Sequence, residues 1–152
     1  MKAGVDYIGV AVGVLVINSE GKLFLTKRGR NATNERGTWE IPGGKVRFGE
    51  TLEAAAGREM REEYGVDVEL TFQFPAQTHL IPDEKQHWVP TTFLAHIPKG
   101  QTPVIREPDK CDGVGWFSLD NLPAPLSIIT GLDIETYRHY LAGRDLFSVI
   151  KN

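Results

Sequence analysis

From Ile8 to Ile17 the chain reads IGVAVGVLVI, with no charge anywhere in the run. Its even positions are Ile8, Val10, Val12, Val14 and Val16, and its odd positions open with Gly9, Ala11 and Gly13. An extended chain sends successive side chains to opposite faces, so a run that is uncharged on both faces has to be covered on both. A central strand is predicted here, and the small odd residues mark a place where something approaches closely.

The rest of the chain supplies the layers around that strand. NSEG, Asn18 to Gly21, is turn chemistry, and KLFLTKR after it is predicted as the hairpin partner of the first strand. A polar loop, GRNATNERG, leads to TWEIPGGK, a short strand broken at Pro42-Gly43-Gly44. A helix is predicted from Thr51, as N-cap, to Tyr64, with Gly65 as the residue that ends it. The alternation of Val66, Val68, Leu70, Phe72 and Phe74 predicts another strand. QHWVPTTFLAHI is a further strand, which Pro90 assigns to an edge or a bulge. DGVGWFSL is the last short strand, NLPAPL a turn, and SIITGLDIETYRHYL a C-terminal helix weakened by Gly131. Strands, a helix, strands and a helix predict an α/β fold: one mixed sheet with helices packed on it, a single domain over residues 1–152.

The helix from Thr51 carries an unusual burden. REMREEYG, Arg58 to Gly65, puts three glutamates and two arginines into eight residues. At about 100° per residue from Leu52, Glu59 falls near 340°, Glu62 near 280° and Glu63 near 20°. That arc also holds Leu52, Ala55 and Ala56, whereas Arg61, Ala54 and Gly57 lie opposite. The acids therefore continue the apolar stripe. They repel one another at spacings of three and four residues, and they oppose the helix dipole at roughly 0.3–1 kcal/mol each. Arg58 precedes Glu62 by four residues and relieves part of this. A solvated, salt-bridged face is the bland alternative. The angular positions favour a hard cation, Mg²⁺ or Mn²⁺, since the cluster offers oxygen donors only.

Composition narrows the function classes. A net charge of −3 provides no basic field for a nucleic-acid polymer or a membrane surface. The single cysteine, Cys111, allows no internal disulfide and suits a reducing compartment. MKAGVDYIGV lacks the pattern of a signal peptide, and no apolar run reaches the ~20 residues of a membrane span. A cytoplasmic protein is expected.

Gly44, Glu50 and the run Arg58-Glu59-Met60-Arg61-Glu62-Glu63-Tyr64-Gly65-Val66 fit the pattern G-x5-E-x7-R-E-U-x-E-E-x-G-U, with U aliphatic. The chain thus resembles the Nudix hydrolases. TWEIPGG and WFSLDNLP are similar to the MutT-like nucleoside triphosphate pyrophosphatases of that family. The resemblance implies an α/β/α sandwich on a mixed sheet. It implies hydrolysis of a pyrophosphate bond with divalent metal, which neutralises the phosphates and acidifies a water. Glu59, Glu62 and Glu63 would be metal ligands, joined by the Gly43 carbonyl, with Glu62 also chosen as the proton acceptor. Arg58 would orient the glutamates, and Glu50 would brace the loop or reach a second metal through water.

Outside the box, Arg28 and Lys45 are candidates for phosphate binding, and Lys27, Arg30 and Arg36 flank them. Trp116 is a candidate for stacking on a nucleobase, and His87, Trp88, Thr91 and Phe93 lie on a strand that could line a base pocket. The loop REPDKCDGVGW offers Glu107 or Asp112 as a further carboxylate. Cys111 has no base partner and receives no role. The expected activity is Mg²⁺-dependent cleavage of a nucleoside or deoxynucleoside triphosphate to the monophosphate and pyrophosphate. ADP-ribose or a nucleotide sugar is the alternative substrate, and a non-catalytic nucleotide sensor is the alternative of another class. The partner is a small nucleotide, and the resemblance leaves a homodimer open.

Overall fold

The computed structural model describes residues 1–149. The main elements are β1 (Gly9–Val16), β2 (Leu23–Arg28), β3 (Trp39–Glu40), β4 (Gly43–Lys45), α1 (Leu52–Tyr64), β5 (Glu69–Gln73), β6 (His79–Ile81), β7 (Gln86–His96), β8 (Cys111–Phe117) and α2 (Ile128–Leu141). The uncharged run lies inside the larger sheet, ordered β4-β1-β7-β5, with β6 pairing the first part of β7. β1 runs parallel to β7 from Gly9↔Trp88 to Val16↔Ala95, and the other pairings of this sheet are antiparallel. The sheet is therefore mixed.

Both faces of β1 are covered, as its composition requires. Val12, Val14 and Val16 pack on Ala55, Ala56, Met60 and Tyr64 of α1. Leu15 and Ile17 pack with Phe74 and Leu94, and with Ile134 and Tyr137 of α2. Each of the valine, leucine, isoleucine, methionine and phenylalanine side chains among these stabilises the fold by roughly 1.5–3 kcal/mol when fully buried. The result is the α/β/α sandwich expected of this sequence. The small odd residues also behave as anticipated: a Cβ on Gly9 would strike the Trp88 ring, and one on Gly13 would strike Thr92.

The structure corrects two of the strand expectations. β1 and β2 begin as a hairpin through the bridge Ile17↔Leu23, and then they part. β2 joins β3 and β8 in a separate antiparallel sheet, because its Leu23 and Leu25 fill the α2-side core while Phe24 reaches the α1 side. Pro90 sits in neither an edge strand nor a bulge. Its carbonyl accepts from the Gln77 amide on the outer side of β7, between the stretches paired with β5 and β6. The missing N–H falls in that gap, where no ladder bond is lost.

The two helices follow their sequence signals. Thr51 Oγ1 accepts from the Ala54 amide at 3.1 Å. Gly65, at φ 69°, turns the chain out of α1 in the left-handed region. Ser127 caps α2 through the Thr130 amide, and Gly131 does not interrupt that helix. No helix of the described residues is long and apolar enough to cross a membrane.

Candidate active site

The site is built where α1 crosses β4. Gly43 lies opposite Gly13, and a Cβ on it would collide with the Val12 carbonyl. Gly44 lies opposite Val12, and a Cβ on it would collide with the Glu59 carboxylate. The glycine pair thus lets the β4 backbone close on β1 from one side and on the helix acids from the other.

Arg58 organises those acids. Its Nε and Nη2 donate to Glu50, its Nη1 donates to Glu59 at 2.8 Å and to Glu62 at 3.2 Å, and Nη2 also reaches the Lys45 carbonyl at 2.9 Å. Glu50 accepts in addition from the Arg47 amide. Hydrogen bonds from Arg58, and then from Arg47, pull the Glu50 carboxyl down to about 2. The stability this lends is present above the ordinary value of 4.5 and is lost as pH falls toward 2. Arg58 thus bridges Glu50 to Glu59 and Glu62, and Glu50 ties it to the loop before α1 through the Arg47 amide.

Beyond Arg58 opens a cleft of about 310 Å³, bordered by Glu40, Gly43, Lys45, Glu63, Glu107 and Lys110. Burial raises the Glu63 carboxyl well above the usual range, and the charge of neighbouring Glu59, then Glu107 and Glu40, raises it further. Glu107 Oε2 is buried and ion-paired with Lys110 Nζ at 3.0 Å. Asp112 is exposed and does not border the cleft, whereas Glu107 does. Among the described residues no three His, Cys, Asp or Glu side chains form a closed metal cluster. The donor set nevertheless fits a hard divalent cation: Glu59 and Glu107 press like charge on Glu63, and no sulfur or imidazole competes except the partly buried Cys111.

The remaining expectations fare differently. Glu62 does not face the cleft: its side chain is 41% exposed at the rim and is paired with Arg47 and Arg58. At 280° on the wheel it lies at the margin of a buried stripe that continues through Met60 and Tyr64 instead. We therefore expect Glu62→Gln to lower kcat by less than about tenfold, far less than substitution of Glu63, in steady-state assays. Lys45 reaches the cleft, with Nζ 5.6 Å from the centre of the Trp88 ring. Arg28 borders it too but is already engaged, donating to both Glu40 oxygens and to the Asn34 carbonyl and side-chain oxygens. It braces Glu40 rather than standing open to phosphate. Trp116 is corrected outright: its indole packs 5.2 Å from the Phe24 ring against the α1-side core, away from the cleft. Trp88 is the tryptophan beside the site.

Two acids of the site were not foreseen. Glu40 pairs with Arg28 at 3.0 Å, and burial raises its carboxyl in spite of that partner. It is the lone acid of TWEIPGG, a signal that a two-residue strand is too short to orient. Asp133 lies on α2 at the floor of a second pocket of about 170 Å³, which shares Arg28, Glu40 and Gly43 with the cleft. It is an acid on the stripe formed by Thr130, Ile134 and Tyr137, an anomaly of the kind that α1 displayed more loudly.

Comparison with known proteins agrees with this geometry. The family model of the NUDIX domain matches residues 8–138. A curated RNA pyrophosphohydrolase of Caulobacter vibrioides is 37% identical over 131 residues, 74% of this chain and 73% of that protein. The 8-oxo-dGDP phosphatase NUDT18 of Mus musculus is 27% identical over 127 residues, 83% of this chain. The matched region spans only 36% of that longer relative. The crystal structure of a MutT NUDIX hydrolase from Burkholderia pseudomallei superimposes with a TM-score of 0.78 at 34% identity, covering 86% of this chain and 98% of that one. The glutamate-bearing helix, the glycine pair and the sandwich that joins them belong together for one reason: this chain is a member of the Nudix hydrolase family.

Proposed function

We propose that the chain is a Mg²⁺-dependent pyrophosphohydrolase of nucleoside or deoxynucleoside triphosphates, releasing the monophosphate and pyrophosphate. The observation that carries this reading is the cleft of crowded carboxylates lying next to a compact pocket, with Arg28, Glu40 and Gly43 lining both. A phosphate chain in the first would leave its nucleoside beside the second. All box glutamates are present, which favours catalysis over sensing.

Glu59, Glu63 and Glu107, with the Gly43 backbone carbonyl, would hold the divalent cation, and Mn²⁺ would serve in its place. When bound, it neutralises the substrate's phosphates and makes a water more acidic. The chain does the rest. Arg58 holds the Glu59 carboxylate against Gly44, and Glu50 fixes Arg58. Lys45 borders the cleft as a cation for phosphate oxygens, and Lys110 pairs there with Glu107. Water adds to one phosphorus, the bridging P–O bond breaks, and the proton of the water passes to a cleft carboxylate. Glu63 or Glu107 is placed for that, and Glu62 is not.

The test is a panel of nucleoside triphosphates, ADP-ribose, nucleotide sugars and 5′-triphosphorylated RNA, with Mg²⁺ and product identification. Monophosphate and pyrophosphate from triphosphates are expected to dominate; turnover of ADP-ribose or RNA alone would overturn the substrate assignment. Metal binding is checked separately. Mg²⁺ or Mn²⁺ is expected to raise the melting temperature of the wild type, and much less that of Glu59→Gln/Glu63→Gln. Equal shifts in both proteins would remove the cation from this cleft.

A further inference from the structure

The half-buried ring of Trp88 is fixed along both edges. Trp88 pairs with Gly9 across β1 and β7, and a Cβ on Gly9 would come within 2.3 Å of ring atoms Cε3 and Cζ3. The opposite edge faces Gly4, whose Cβ would come within 2.3 Å of Cε2 and Cζ2. Gly4 lies in a turn before β1: its amide donates to the Tyr7 carbonyl at 2.7 Å, and its carbonyl accepts from the His87 amide at 2.8 Å. Its φ of 79° is a conformation that glycine adopts without strain. The indole Nε1 donates to Gln86 Oε1 at 2.9 Å, and that oxygen also accepts from Asn34, which Arg28 holds in turn.

Lys45 rests against this fixed ring. Its backbone is set by pairing with Ala11 and by the Arg58 Nη2 that donates to its carbonyl at 2.9 Å. Ala11 and Gly9 are two residues apart on β1, so Lys45 and Trp88 leave the sheet on the same face. The Lys45 ammonium lies 5.6 Å from the ring centre, within the reach of a cation–π contact. Among the described residues it forms no ion pair, although Glu40, Glu63 and Glu107 border the same cleft. A loose lysine on a four-carbon stem would fold onto one of those acids and oppose the divalent cation there. An aromatic face attracts the ammonium and accepts none of its charge, so the N–H donors that point away from the ring stay available to phosphate oxygens.

We propose that Trp88 is a positioning residue: seated by Gly4 and Gly9, it keeps the Lys45 ammonium off the cleft carboxylates and open to the phosphate chain of the substrate. This rests on the pyrophosphohydrolase reading for what the ammonium meets. The probe is inorganic pyrophosphate with Mg²⁺, which carries neither base nor sugar and so ignores any contact of Trp88 with a nucleoside. In calorimetry Trp88→Leu is expected to weaken its binding by about three- to tenfold, the range of a partly shielded cation–π contact, and Trp88→Phe, which keeps a ring, by less. Lys45→Met is expected to weaken binding at least as much as Trp88→Leu, and adding Trp88→Leu to it should then change the affinity by less than about twofold. Equal losses from Trp88→Leu in both backgrounds would make Trp88 structural and overturn the proposal. Unchanged affinity in Trp88→Leu or in Lys45→Met would overturn it too, as would a wild type that does not bind pyrophosphate.

Two further measurements keep the question decidable if Trp88→Leu does not fold. Gly4→Ala retains the indole and presses on its edge; it is expected to weaken pyrophosphate binding by about two- to fivefold, and not in the Lys45→Met background. Unchanged affinity in Gly4→Ala would overturn the seat assigned to the ring. In NMR spectra of the unsubstituted chain, the ring current is expected to move the Lys45 Hε protons upfield of those of the other lysines, and Hε shifts equal to theirs overturn the contact. Failure of the wild type to hydrolyse any nucleotide would bring down the reaction assigned above instead, and the pyrophosphate affinities and the Lys45 shifts would then decide the role of Trp88 on their own.

Discussion

Glu63→Gln is expected to lower kcat by about 10²–10⁴-fold while the melting temperature of the metal-free protein holds or rises. Both effects have one origin. The Glu63 carboxyl is buried, and Glu59, Glu107 and Glu40 add like charge around it. An amide of the same shape removes a charge that the fold does not favour, and it removes the metal ligand and proton acceptor proposed above. Linkage sharpens the expectation. A carboxyl raised in the folded state contributes its stability fully below the unfolded value, near 4.5, and loses it as pH climbs through the raised one. Metal-free wild type should therefore weaken as pH rises across that window, and Glu63→Gln should weaken less. Assays at saturating Mg²⁺, with chelated melts at acidic and alkaline pH, check both halves. Turnover near the wild-type rate would end the assignment of Glu63, and a large loss of stability would make it structural.

The glycine pair yields the second large effect, in opposite directions at adjacent residues. A methyl on Gly43 meets the Val12 carbonyl, part of a strand ladder that cannot retreat. Gly43→Ala is expected to cost about 1–3 kcal/mol of stability, the usual penalty of overpacking. A methyl on Gly44 meets only the carboxylate end of Glu59, which can swing away. Gly44→Ala is expected to melt close to wild type and yet to lose about 10²-fold in kcat, since a displacement near 1 Å at a catalytic group is enough for that. Thermal melts and kinetics on both variants distinguish the two. If Gly44→Ala loses stability in step with activity, the close approach serves the fold rather than the chemistry.

These contrasts explain what could be seen in the sequence. α1 and its acids are written locally: Thr51, Gly65 and the spacing of Arg58, Glu59 and Glu63 lie within one helix, so periodicity and capping chemistry expose them. β1 was legible because its two uncharged faces admit only a covered position. The partnership of β2 with β8 and the gap that accommodates Pro90 depend on segments far apart in the chain. Glu40 and Asp133 are likewise defined by what surrounds them, Arg28 in one case and Gln77 with Thr92 in the other. The angular argument placed Glu59 and Glu63 inward, and it erred for Glu62 because the arc was centred on Ala55 and Ala56 without the weight of Met60 and Tyr64.

β1 serves two masters with alternate residues. Val12, Val14 and Val16 support the helix that carries the glutamates, whereas Ala11 and Gly13 floor the pocket that holds Asp133. Point substitutions are constrained in both series: Val12 lines that pocket as well, Gly13 has no room for a side chain beside Thr92, and the odd residue Leu15 is fully buried. A single inserted residue would do more, exchanging the two sets at a stroke. One strand thereby ties the wall of the pocket to the seat of the glutamate-bearing helix, and neither can be rebuilt through β1 without disturbing the other.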